Sequence, residues 1–307
     1  MTTLRSHVQR ELSALPPKPV AEFVRDLAQD PHALAVLYYG STLRTGDLSG
    51  LLDFYVLTDG RGRRGLRRMV EAALWPEVSY READTSQGRL RAKVATMPLE
   101  TFQSAARGER LDTTIWTRFV QPAALVWARD AGAEAQVQAG VERAIVTAAC
   151  YAAVLGPERG VALEFWRGLF RQTYQAEFRV EDAGRADELL RVAPERWGRL
   201  LPAAWRDGAI PFERVGDDLR PTPSPALARS LRRGWRLRRA MGKPLNLARI
   251  GKAAFTFEGA ARYAAWKIER HTGLPIEVTP FRERHPLLAA PGVLWKLLRA
   301  RRPGPQA

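Results

Sequence analysis

The sequence predicts an α/β chain: a mixed sheet covered by helices, followed by a mainly helical C-terminal region. Three observations carry this. Two apolar runs, AVLYY (35–39) and LLDFYVL (51–57), are short, aromatic and β-branched, as buried strands are. The segments EVSYREA (77–83) and LRAKVATM (90–97) read as further strands, the first alternating as a half-buried strand does, and a helical pattern over 63–74 separates this pair from the first. From 137 to about 206 the spacing is helical almost throughout.

Taken in order, residues 1–15 have helical spacing that Pro16 and Pro17 stop. A second helix, 20–29, puts Phe23, Val24 and Leu27 on one face, and Asp30-Pro31 closes it. The stretch 34–59 reads as strand, tight turn, connection, strand, and a turn follows at 59–62. A helix over 63–74 would bury Leu66, Met69 and Val70 and expose Arg64, Arg67 and Arg68. After the strands at 77–83 and 90–97 come a helix over 99–106, a helix end at 115–120 and a short strand at 124–127. A linker at 130–134 is the predicted domain boundary. Helices are expected over 137–155, 160–179, 184–191 and 194–206, then a Pro-rich connector over 211–225. A very basic helix over 227–241 should be broken by Gly234, and 259–270 should form an amphipathic helix. The expected organisation is 1–130 as the α/β unit, 135–220 as a helical unit and 221–307 as a basic helical segment.

The net charge of +15 sits at one end. Residues 1–219 hold 29 basic and 29 acidic residues, whereas 220–307 hold 19 basic and 4 acidic. A neutral body with a basic C-terminal quarter points to an anionic partner there, whether membrane surface, nucleic acid or phosphorylated substrate. The single cysteine, Cys150, excludes an internal disulfide framework and fits a reducing compartment. The N-terminal residues lack the apolar core of a signal peptide, and the longest apolar stretch, 144–156, is too short to span a bilayer. The four histidines have no ligand spacing among them, so zinc is not expected.

Candidate chemistry lies in 34–59. Gly40 lets the backbone approach a triphosphate, and Ser41 can donate a hydrogen bond to it. Asp53, separated from Ser41 by eleven residues and lying in an adjacent apolar strand, would hold Mg²⁺ against the same phosphates. Gly-Ser followed at this distance by a strand acid is the outline of the nucleotidyltransferase superfamily. That superfamily usually carries an acidic pair, and here the residues read Asp53-Phe54-Tyr55. Either another carboxylate completes the site, or the chain belongs to a family with a reduced pair, or the site is inactive. Asp47, Asp59, Glu82 and Asp84 are the further acids considered. Lys93 is either edge protection or a cation pointing at nucleotide phosphates. Arg118 and Gln121 form a polar pair near the sheet's C-terminal edge. Trp235 among arginines suits an anionic bilayer interface, and nucleic acid equally.

Four motifs resemble the mitochondrial-type phosphatidate cytidylyltransferases, the translocator assembly and maintenance proteins. They are YGS with LLDFYVL, RAKVA (91–95), RFVQPAALV (118–126) and KAAFTFEGAARYAAWKIER (252–270). The third lacks the lysine that the family places between Gln and Pro, and 135–225 adds nothing to the match. The resemblance implies CTP at Gly40 and Ser41, Mg²⁺ on Asp53, and attack by the phosphate of phosphatidic acid on the α-phosphorus. It implies Lys93, Arg118 and Lys252 as the cations around the phosphates. It also implies a protein of the cytoplasm, peripheral on the anionic inner face of the cytoplasmic membrane, with no nucleic acid partner. The competing readings are transfer to another acceptor, a catalytically dead domain, and a basic nucleic-acid-binding protein.

Overall fold

The computed structural model describes residues 3–61, 74–176, 184–272 and 275–284. Two short helices, α1 (Leu4–Leu12) and α2 (Lys18–Leu27), lead into β1 (Ala33–Tyr39). Then follow α3 (Ser41–Thr45), β2 (Leu52–Thr58), β3 (Glu77–Thr85), β4 (Gly88–Pro98), α4 (Leu99–Ala106), α5 (Thr114–Phe119) and β5 (Ala123–Ala128). The five strands form one mixed sheet in the order β3-β4-β2-β1-β5, with β2 and β4 parallel and the other pairs antiparallel. The mixed sheet followed by helices is the class the sequence predicts. The helix expected over 63–74 falls almost wholly outside the described residues.

Strand alternation gives the sheet two apolar faces. On one, Val36, Tyr38, Phe54, Val56 and Val94 meet Val20, Phe23 and Val24 of α2, with Phe23 and Phe54 stacked at 5.6 Å. On the other, Leu37, Tyr39, Tyr55, Leu57, Ala95 and Met97 join a much larger core built by the helices. Each fully buried Phe, such as Phe54 or Phe102, contributes roughly 1.5–3 kcal/mol.

The central helix of that core is α6 (Ala131–Leu155), which packs on β1, β5, α4 and α5. Its alanines and Gly140 permit close approach: a Cβ at Gly140 would stand 2.6 Å from the Phe102 ring. The stretch 130–134 is therefore no linker. Asp130 caps α6, accepting from Ala133 N at 2.7 Å. Beyond it lie α7 (Ala162–Ala176), α8 (Gly184–Arg191) and α9 (Pro194–Asp207). Two of the buried indoles bond to backbone, Trp166 donating to Trp197 O at 3.1 Å and Trp205 to Ala149 O at 2.8 Å.

Three other expectations are corrected. The Pro-rich connector contains a hairpin, β6 (Phe212–Val215) with β7 (Asp218–Pro221). The basic helix, α10 (Pro225–Thr256), is not broken at Gly234 and runs 32 residues. Gly234 instead marks tight packing, since a Cβ there would lie 2.9 Å from the Tyr151 hydroxyl. Trp235 is not at an exposed interface: it is 5% exposed and packs against Tyr151. Finally α11 (Ala260–Thr272) and α12 (Pro280–Arg284) follow. The turn before α11 docks on the outer edge of β3, with Tyr80 N donating to Glu258 O at 2.8 Å.

Candidate active site

β1, β2 and β4 place one row of residues side by side: Tyr39 pairs with Asp53, and Asp53 with Lys93. Neighbouring strands stand about 4.8 Å apart, so the carboxylate and the ammonium chain leave the sheet together on its helix-covered face. The row lies at the end of β1 where the chain turns through Gly40. That glycine has φ 96° and ψ −165°, a conformation that side-chain-bearing residues avoid. A Cβ there would also meet Asp53 Oδ2 at 2.7 Å. The residue before Ser41 is thus glycine on two independent grounds, and its missing side chain leaves the space beside the carboxylate open.

These residues line a cleft of about 250 Å³. Gly40, Ser41, Arg44 and Thr45 form one wall, Asp53 and Lys93 the floor, and Arg118 and Gln121 another side. Tyr174 on α7, with Glu188 and Leu189 on α8 and Val192 just after it, reaches in from the helical region. Arg118 is fixed by aromatic neighbours: its Nη1 donates to Tyr55 Oη at 2.9 Å, and its guanidinium lies 5.2 Å from the Tyr39 ring centre. Burial pushes the Tyr55 phenol up, against the lowering effect of Arg118, so it remains protonated at neutral pH. Gln121 accepts from Arg44 Nη1 at 3.2 Å and donates to Thr117 O at 3.0 Å, which orients Arg44 along the cleft.

The structure therefore brings together Gly40, Ser41, Asp53, Lys93, Arg118 and Gln121. Lys252 is elsewhere: it does not line the cleft, and its ammonium donates to Leu74 O at 2.8 Å. The further acids are also engaged away from the cleft. Glu82 accepts from Tyr80 and pairs with Arg91, and Asp84 pairs with Arg89. Asp47 accepts from Ser49 N and Asp59 from Arg61 N. The reading of the sequence missed Arg44 and Glu188. Arg44 follows Ser41 by three residues within one turn, a signal available in the chain. Glu188 comes from a helix far along the sequence, and no local pattern marks it.

Among the described residues no group of three or more His, Cys, Asp or Glu side chains could hold a metal ion. Mg²⁺ does not require one, because it is commonly held by one or two carboxylates together with substrate phosphates and water. Asp53, with the open space that Gly40 leaves beside its Oδ2, fits that mode. The three cations Arg44, Lys93 and Arg118 against the acids Asp53 and Glu188 leave the cleft suited to a polyanion.

No family model matches the chain, and none of the curated proteins matches it. Among solved structures it is similar to a nucleotidyltransferase-like protein from Exiguobacterium sibiricum 255-15, at 11% identity over 92% of this chain and 89% of that one. The TM-score is 0.27, a likeness too weak to bear on function.

Proposed function

We propose that this cleft is the active site of a nucleotidyltransferase that transfers CMP from CTP to phosphatidic acid, giving CDP-diacylglycerol and pyrophosphate. The observation that carries the transferase reading is the placement of Asp53 between the Gly40 turn and Lys93. The choice of CTP and phosphatidic acid rests on the motif resemblance.

In this reading the triphosphate lies along Gly40 and Ser41, with Arg44, Lys93 and Arg118 as its cationic partners. Mg²⁺, held by Asp53 and the phosphates, would supply charge neutralisation at the triphosphate. A phosphate oxygen of the acceptor forms a bond to the α-phosphorus, the α–β bridging bond breaks, and pyrophosphate leaves. Positioning and charge neutralisation do nearly all the work in such transfers. The acceptor phosphate is already an anion, so the cleft needs no strong general base, which suits its few carboxylates.

A second feature favours an acceptor held at a lipid surface. On α10, Arg229, Arg232, Arg236, Arg239 and Lys243 recur at intervals of three and four, so they form one exposed row about 21 Å long. Leu247, one turn past Lys243, continues the row and is 71% exposed, and Leu237 and Met241 are 52% and 38% exposed on another side of the helix. A row of cations on a helix that also exposes apolar side chains suits an anionic bilayer interface, and none of the described helices is long and apolar enough to cross a membrane. We place the protein peripherally, on the cytoplasmic face of such a membrane.

The test is release of pyrophosphate from CTP and Mg²⁺ with phosphatidic acid in mixed micelles, comparing wild type with Asp53→Ala. Lipid-dependent turnover that disappears in the variant is the expected result. Turnover only with a water-soluble phosphate acceptor would overturn the lipid part of the proposal. Absence of turnover with any nucleoside triphosphate would overturn the whole.

A further inference from the structure

Two arginines of α10 point inward, and both hold the same loop. Arg238 is 6% exposed. Its guanidinium donates to the carbonyl oxygens of Gly108 and Arg110, the latter at 3.0 Å, and lies 5.1 Å from the Tyr151 ring centre. Arg249, three turns further along the same face of the helix, forms an ion pair with Asp112 and lies 4.6 Å over the Trp75 ring. The two side chains of that pair are only 15% and 5% exposed. The other carboxylate oxygen of Asp112 accepts from Thr114 N at 3.0 Å, the first N–H of α5.

α5 has six residues, and its N-cap, Thr113, makes no side-chain capping bond. A helix this short does not hold its shape alone. Asp112 supplies the missing acceptor, and its charge favours the helix start. A buried carboxylate keeps that place only while it is compensated, and Arg249 is the compensating charge. One turn on, α5 presents Arg118 to the cleft. There Arg118 Nη1 donates to the hydroxyl of the fully buried Tyr55 at 2.9 Å, so the orientation of α5 sets where the guanidinium lies.

We propose that Arg238 and Arg249 are positioning residues: a clamp through which α10 fixes loop 107–113 and α5, and so sets Arg118 for the triphosphate. This rests on the nucleotidyl-transfer reading of the cleft. Neither arginine lines the cleft, so any effect on substrate is exerted through α5.

The experiment uses the full chain and the variants Arg249→Met, Arg118→Ala and both together. Affinity for CTP with Mg²⁺ is measured by calorimetry, and amide hydrogen exchange is followed over 112–121. Arg249→Met is expected to weaken CTP binding tenfold or more and to speed exchange over 112–121 while the strands stay protected. In the Arg118→Ala background the same change should cost less than twofold, because the interaction it supports is already gone. Full additivity would overturn the positioning role in favour of general stability. Asp112→Asn combined with Arg249→Met removes both charges and should recover most of the affinity. If the wild type binds no nucleoside triphosphate, the transferase reading fails, and with it the role toward Arg118. The clamp itself is read separately: unchanged exchange over 112–121 in Arg249→Met overturns it. Should Arg249→Met not fold, Arg238→Lys keeps the charge but loses the fork that spans two carbonyls, and is read in the same way.

Discussion

Replacing Gly40 by alanine separates backbone strain from damage to the site. At φ 96° and ψ −165° a side-chain-bearing residue costs on the order of 1–3 kcal/mol, a melting temperature lower by about 2–6 °C in a chain of this size. The added Cβ would also stand 2.7 Å from Asp53 Oδ2, closer than such atoms approach. The carboxylate must then move by about half an ångström or more, and misplacement on that scale costs roughly tenfold to a hundredfold in rate. Gly46→Ala is the matched comparison, because Gly46 also has positive φ, 71°, but nothing lies within 4 Å of its Cβ position. Gly46→Ala should show the smaller loss of melting temperature and keep its turnover. Both variants are measured by thermal unfolding and by pyrophosphate release. Wild-type turnover in Gly40→Ala, or an equal loss in Gly46→Ala, would refute the link between the glycine and the carboxylate.

Three further predictions concern other parts of the molecule. Burial pushes the Glu11 carboxyl up, but the guanidinium of Arg196 and the ring of His7 outweigh it and hold it at about 2, against 4.5 ordinarily. A depressed carboxyl stabilises the fold above its unfolded value and loses that contribution as pH falls from about 4.5 to 2. Arg196→Met should therefore cost on the order of 3 kcal/mol in urea unfolding at pH 7, and the gap should close near pH 2; a pH-independent gap would count against the pair. Burial pushes the Cys150 thiol up to about 11, so it should resist iodoacetamide at neutral pH until the protein is unfolded in urea, and rapid native labelling would contradict the packing. Removing two charges of the α10 row, Arg232→Gln with Arg236→Gln, should weaken binding to anionic vesicles about thirtyfold, at ~1 kcal/mol per charge, with less salt dependence; unchanged vesicle binding would free that face from the role.

The strands were legible because their apolar runs are short and bounded by turn residues, and the Gly40, Ser41 and Asp53 spacing survives into one cleft. Lys93 was legible as a strand lysine that either guards an edge or faces phosphates. Its place beside Asp53 depends on the parallel pairing of β2 with β4, which local pattern does not encode. Glu188 was invisible for the same reason, since α8 reaches the cleft only through tertiary packing. Gly234 misled because a glycine lowers helix propensity, yet here it lets α10 lie against Tyr151, and packing outweighs propensity. Lys252 misled in the other direction: a motif-like position whose side chain satisfies the backbone at Leu74 instead. Trp235 shows the limit of composition, because arginines surround it in sequence while its ring faces the core.

The contact between Glu258 and β3 has a consequence for how the chain is made. All five strands have been synthesised once residue 128 is added, but the segment that covers the outer strand begins near residue 257, about 130 residues later. At typical elongation rates that interval lasts on the order of ten seconds. During it the nascent chain carries an open strand edge, Glu77–Thr85, able to pair with a neighbour on the same message. The charges along that strand, Glu77, Arg81, Glu82 and Asp84, then act as its guard until the C-terminal segment arrives.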